Sequence, residues 1–283
     1  MPELPEVEVL VRQLHALLPG RTVRGVHVGR RRVLGSTSPQ KLVRVLKGKT
    51  FVGVRRRGKF LLFDLAQANK QPLLLLGHLG MTGRIYLNPR ENPLPKHAAV
   101  VLDLDGENLV FEDTRYFGKF TLDTAPLSRL GPEPLDDSFT AKTLAEKLGR
   151  SSQPIKIKLL DQSVVAGVGN IYASESLFLA RISPLLPARR LKLNQIKRLQ
   201  DAIRQVFTQA IDFGSTVPLT YAGADQKNDL FYYGSDPTGT ASYEERLRVY
   251  DREGHPCPSC GAPIQRIFQA GRSTFYCGEC QKR

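Results

Sequence analysis

Cys257-x2-Cys260 and Cys277-x2-Cys280, sixteen residues apart, restrict what this chain can fold into more than any other feature. Each pair can hold an ion from a single turn, and two pairs complete a tetrahedral thiolate site. The four cysteines are the only ones in the chain and fall in its last 27 residues. Four thiolates leave no open coordination position, so one structural zinc ion is expected. Unpaired thiols are the bland alternative, and a cytosolic disulfide set does not suit. Thr274-Phe275-Tyr276, between the pairs, suits a small β-hairpin. Arg266, Arg272, Lys282 and Arg283 surround it, and a metal-held hairpin bearing Arg can set a cation against phosphate.

The periodicity of the rest changes twice. Val7, Leu10, Val11, Leu14 and Leu18 recur at helical spacing, and Pro19-Gly20 ends the pattern, so residues 5–18 read as an amphipathic helix. From Thr22 to about Leu122 short apolar runs alternate with Gly, Asn, Pro and Asp. The runs are 22–28, 51–54, 60–65, 73–76, 85–87, 98–104 and 109–111, with Asp105-Gly106 as a hairpin signal. This reads as a β-sandwich capped by the first helix. Gly131-Pro132-Glu133-Pro134 reads as a linker. Helical patterns follow at 140–148, 155–161, 171–180 and 193–213. Residues 221–245 read as a long loop. The expected class is α+β with three parts: 1–130, helix and sandwich; 131–245, helical; 246–283, zinc ribbon.

Lys and Arg number 41 against 27 Asp and Glu, a net charge of +14. That excess suits a polyanion, either nucleic acid or an anionic membrane surface. Neither a signal-type apolar segment nor an 18-residue apolar run is present, which favours a cytoplasmic protein acting on nucleic acid.

The N-terminus carries chemistry of its own. If Met1 is removed, Pro2 becomes a free secondary amine, able to attack an electrophilic carbon and form an iminium. Glu3 and Glu6 would share one side of a starting helix. Ordinary helix-start chemistry explains the same residues. Gly167-Val168-Gly169-Asn170 implies a Gly-rich turn before a helix whose first N–H groups, with Asn170, could bind an anion; a plain helical hairpin is the alternative. Taken singly, Met81 and Phe117 would be core, and Arg115, Lys59 and His97 surface residues.

Met1–Glu6, Gly58-Lys59, Gly77–Met81, Arg115–Gly118, Val168–Glu175 and the four-cysteine ribbon occur together. Together they resemble the bacterial formamidopyrimidine-DNA glycosylase family from end to end. The resemblance implies a helix–two-turns–helix motif in the middle part. It also implies excision of oxidised purines (8-oxoguanine and formamidopyrimidines) from double-stranded DNA, followed by strand cleavage through β,δ-elimination. It makes Pro2 the nucleophile, Glu3 the proton donor to the leaving group, Lys59 a donor in β-elimination and Arg272 the residue linked to δ-elimination. Met81, Arg115 and Phe117 would fill the gap left by the everted nucleotide. His97, Lys156, Asn170 and Arg272 would meet phosphates, and Arg150 stands as an extra contact outside these motifs. A monomer with no membrane partner is expected. Around 218–245 the chain departs from the family, with Tyr221-Ala222-Gly223-Ala224-Asp225 and an insertion through Tyr232-Tyr233-Gly234-Ser235, which bears on base choice. The alternatives are the related endonuclease VIII, which prefers oxidised pyrimidines, and a catalytically dead damage binder.

Overall fold

A computed structural model describes residues 2–67, 72–215 and 247–282. They fall into two compact units. The first takes in Pro2 and residues 6–128, and the second residues 3–5, 129–215 and 247–282. The expected loop at 221–245 lies outside the described residues.

The helix α1 (Leu4–Leu17), which belongs to the first unit from Glu6 onward, turns Val7, Leu10, Val11 and Leu14 inward while Arg12, His15 and Ala16 stay exposed. The strands are β1 (Gly25–Val28), β2 (Phe51–Arg57), β3 (Phe60–Leu65), β4 (Leu73–His78), β5 (Gly83–Pro89), β6 (Ala98–Asp103), β7 (Glu107–Asp113) and β8 (Lys119–Thr121). They form two antiparallel sheets, ordered β1-β6-β7-β5 and β2-β3-β4-β8. One buried cluster draws on both sheets: Phe111 of β7 stacks on Phe120 of β8 at 5.6 Å, and Phe63 of β3 meets Phe120 at 5.8 Å. The β6–β7 connection is tight because Asp105 and Gly106 both take positive φ, 52° and 91°, the geometry of a primed hairpin turn.

A helix that the strand reading passed over interrupts this region: α2, Pro39–Leu46. Ser38 caps it, accepting the Lys41 N–H at 3.2 Å, and Pro39 opens it. Leu42 and Leu46 enter the core. The first strand is also shorter than expected; it starts at Gly25, and Thr22 makes only a bridge to Thr50.

The second unit holds α3 (Ala141–Leu148), α4 (Ile155–Leu159), α5 (Asn170–Leu179) and α6 (Leu193–Ser215), then the hairpin β9 (Gln265–Gln269) and β10 (Arg272–Tyr276). Residues 171–178 of α5 are all buried, so this helix is enclosed, with Tyr172 edge-on to Phe207 of α6 at 5.3 Å. The 131–134 segment is held rather than free: Gly131 N–H donates to Gln162 O at 2.8 Å and Pro132 O accepts from Ala166 N–H at 3.0 Å.

Candidate active site and nucleic-acid interface

The three residues expected to form a wedge lie on two turns of the first unit. One is 79–82, between β4 and β5; the other is 114–118, between β7 and β8. Met81 and Phe117 are each 44% exposed despite their apolar character, and Arg115 is exposed as well. The Arg115 guanidinium lies 4.9 Å from the Phe117 ring centre, and that of Arg32 lies 5.4 Å from it, both within cation–π range. The two turns touch through backbone: a Cβ on Gly80 would fall 2.6 Å from Gly118 N. His97 is half-buried, its Nδ1 3.1 Å from the Tyr116 hydroxyl.

Lys59 sits at the β2–β3 turn after Gly58, whose φ is +57°, and is 8% exposed. Arg56 braces that turn, donating Nε–H to Glu8 Oε2 at 2.8 Å and Nη1–H to Gly58 O at 3.1 Å. His78 of β4 packs on Phe60 at 4.8 Å. Burial, then the charges of Lys59 and Lys119, push its pKa down to about 4. The ring is therefore neutral at physiological pH. Its Nδ1 accepts from Gly80 N–H at 3.1 Å, which leaves Nε2–H as a donor. His78 lies within the Gly77–Met81 segment, and nothing in its local spacing marks it.

In the second unit the first helical turn of α5 is the focus. Its N–H groups do meet an anion, but that anion is the chain's own Glu3. Gly169 N–H donates to Glu3 Oε2 at 2.6 Å, Ile171 N–H to Oε1 at 2.8 Å and Tyr172 N–H to Oε2 at 3.4 Å. The two glycines before α5 have a steric reason. A Cβ on Gly169 would lie 2.3 Å from Glu3 Cδ, and one on Gly167, at φ +88°, would lie 2.5 Å from Leu4 Cβ. Leu4 N–H completes the docking with a bond to Gly167 O at 3.1 Å.

Lys156, expected from the resemblance to meet a phosphate, lies inside the second unit. It is fully buried, and Nζ donates to Ser273 O at 2.9 Å and to Thr274 Oγ1 at 2.7 Å. Burial, with the nearby Arg272 charge, pushes its pKa down to about 7 against the opposing pull of Glu3. Asn170 Nδ2 donates to the same Ser273 carbonyl at 3.0 Å. Together they fix the strand start that carries Arg272, which is exposed beside a two-residue turn, Ala270-Gly271, with positive φ at both positions. Arg150 is exposed just after the Gly149 cap of α3.

The four cysteines converge. Cys257 and Cys280 sulfurs are 3.9 Å apart, those of Cys260 and Cys277 3.5 Å, and all four lie within 4.8 Å of one another. A tetrahedral zinc with Zn–S bonds of about 2.3 Å requires sulfurs about 3.8 Å apart, so the donor set fits. Ser259 and Cys280 N–H groups point at the Cys257 and Cys277 sulfurs, as suits thiolates.

Three family models match in succession: the formamidopyrimidine-DNA glycosylase N-terminal domain over residues 1–120, its H2TH domain over 130–220, and a zinc finger found in FPG and IleRS over 254–283. The formamidopyrimidine-DNA glycosylase of Symbiobacterium thermophilum is 40% identical, across 99% of this chain and 89% of its own length. The chain belongs to the formamidopyrimidine-DNA glycosylase family. The Lactococcus lactis member in complex with an abasic site containing DNA superposes with a TM-score of 0.85 at 33% identity, covering 99% of this chain and 100% of that one. A MutM structure in complex with carbocyclic 8-oxo-G containing DNA gives 0.85 at 33%, covering 100% of both chains. Membership makes the protein a DNA-repair enzyme with a zinc finger held by one structural ion. No helix among the described residues is long and apolar enough to cross a membrane.

Proposed function

We propose that this enzyme excises oxidised purines, 8-oxoguanine and formamidopyrimidines, from duplex DNA through Pro2 and then cuts the strand by β,δ-elimination. The observation that carries the proposal is the docking of residues 3–4. Glu3 is held by three N–H groups at the start of α5, and Leu4 by Gly167, so the residue before them is tethered too. A nucleophile must be held in a near-attack geometry, and such tethering supplies that.

Once Met1 is removed, the Pro2 nitrogen attacks C1′ of an everted nucleotide and the base leaves with a proton. The amine loses its proton as the bond to C1′ forms, and Glu3, the neighbour of Pro2 in the chain, takes that proton and passes it to the departing base. Breaking of the C1′–O4′ bond, with a proton delivered to O4′, gives an iminium, which acidifies C2′; a base takes the C2′ proton as the C3′–O bond breaks, and Lys59 donates to the departing 3′ phosphate. A second elimination, linked to Arg272, expels the 5′ phosphate. Met81, Arg115 and Phe117 fill the vacated stack. His97, Asn170, Arg272 and Arg150 are the proposed backbone contacts. Lys156 acts indirectly, by holding the strand start that carries Arg272. The division of labour follows residues 1–130, 131–245 and 246–283, and the protein works as a monomer on damaged duplex. The DNA complexes of its relatives support damaged duplex as the substrate.

The test is borohydride trapping on duplexes bearing 8-oxoguanine, with an oxidised pyrimidine duplex alongside. A covalent adduct should map to residue 2. Pro2→Gly, which puts a primary amine in place of the secondary one, should retain some trapping, and protein retaining Met1 should give none. Equal trapping with Met1 in place would overturn the assignment. Faster incision of the pyrimidine substrate would overturn the substrate class.

A further inference from the structure

The wedge residues stand on two separate turns, yet one buried carboxylate is bonded to both. Asp113, the last residue of β7, is fully buried. Its Oδ1 accepts the Thr82 hydroxyl at 2.6 Å and the Arg115 N–H at 3.1 Å, and its Oδ2 accepts the Gly118 N–H at 2.8 Å. Its own N–H donates to His97 O at 3.1 Å. Thr82 is the neighbour of Met81; Arg115 and Gly118 bracket Phe117. We propose that Asp113 is a positioning residue that locks the Met81 turn to the Arg115–Phe117 turn, so that three side chains enter DNA as one preformed wedge.

Burying a carboxylate is unfavourable unless its oxygens are hydrogen-bonded. Here the donors come from the two turns, so the carboxylate is satisfied only while both hold this arrangement. The backbone contact between them leaves no slack. A Cβ on Gly118 would lie 2.7 Å from His78 O and 3.1 Å from Asp113 Oδ2, beside the Gly80–Gly118 approach already described. Tyr116 is held at φ +53°, a conformation unusual for a tyrosine. A wedge ordered in advance avoids an ordering cost at the moment of insertion, so its binding energy goes into opening the stack. The inference rests on the wedge reading of Met81, Arg115 and Phe117.

Thr82→Val removes one donor at nearly constant shape, and Thr82→Ser restores it. Excision of 8-oxoguanine from duplex under single-turnover conditions should fall about tenfold in Thr82→Val, as expected for one positioning hydrogen bond. The serine variant should recover to within about twofold of the parent, and cleavage of a pre-formed abasic site should change by less than about twofold in either. Asp113→Asn, which turns one acceptor into a donor facing a donor, should show the same split more strongly; if it fails to fold, the threonine pair decides. Unchanged excision in Thr82→Val, or an equal fall on both substrates, would overturn the proposal. Arg115→Ala separates the two levels. If it loses excision while Thr82→Val does not, the wedge stands and the lock falls. If Arg115→Ala also keeps full excision, the wedge reading itself falls.

Discussion

The two units hold their proposed functional residues in opposite ways. In the first, Met81, Arg115 and Phe117 project from the ends of strands whose core is apolar. In the second, Glu3 is 1% exposed and Lys156 is fully buried, each satisfied by several hydrogen bonds. The difference teaches that the proposed recognition side chains of the sandwich stand clear of its core, although buried Asp113 pins their turns, whereas in the helical unit the proposed site residues are themselves part of the packing. An exposed side chain can be truncated with little loss of fold, whereas a buried charged group takes its partners with it.

Removing the metal tests the second unit hardest. Structural zinc contributes an apparent binding free energy of about 10–16 kcal/mol in finger peptides, so chelation or Cys277→Ser should unfold the hairpin. Affinity for every DNA should drop, damaged or not. Amide exchange at residues 265–276 checks this; a protected hairpin in the chelated protein would break the comparison.

Next comes Gly169→Ala. The added methyl would overlap Glu3, and overpacking of this kind costs about 1–3 kcal/mol. Denaturant melts should show that loss, and adduct yield should fall with it. A stable variant with full trapping would detach catalysis from the α5 docking.

Lys156→Met sharpens the comparison through pH. The folded-state pKa of about 7 lies below the ordinary 10.5. The folded form therefore disfavours the charge. The penalty is complete below about pH 7 and is relieved as pH rises toward 10, because the unfolded chain then holds more protons than the folded one. The parent should gain stability across that window and the variant should not. Melts at pH 6.5 and 9.5 decide it; parallel curves would mean that Lys156 is solvated.

Arg115→Ala should have the smallest effect on stability, within about 1 kcal/mol, since an exposed cation–π contact is worth about 0.5–1 kcal/mol. It should nonetheless lose most excision of 8-oxoguanine in duplex while keeping most cleavage at an abasic site. A large loss of stability would mean that Arg115 is part of the packing, as the site residues of the helical unit are.

Much of this was legible beforehand. The 60–65 strand and the 193–213 helix followed from alternation and from a 3.6-residue stripe, which are local properties. The missed helix, Pro39–Leu46, carried its signals in Ser38 and Pro39, but its eight residues hold only one turn-spaced core pair, Leu42 and Leu46. Met81 and Phe117 look like core by type, and only family resemblance suggested otherwise. Their exposure is set by backbone contact between two turns some 35 residues apart.

The sequence by itself determined the order helix, strands, helices, ribbon, and the closed thiolate site, because periodicity and cysteine spacing act over a few residues. Tertiary structure alone decided which anion takes the start of α5 and where Lys156 points. Glu3 and Gly169 are 166 positions apart, and Lys156 and Thr274 118. No local pattern encodes such a pairing. A helix N-terminus attracts any carboxylate or phosphate, and burial of a lysine depends on which carbonyls the fold brings to it.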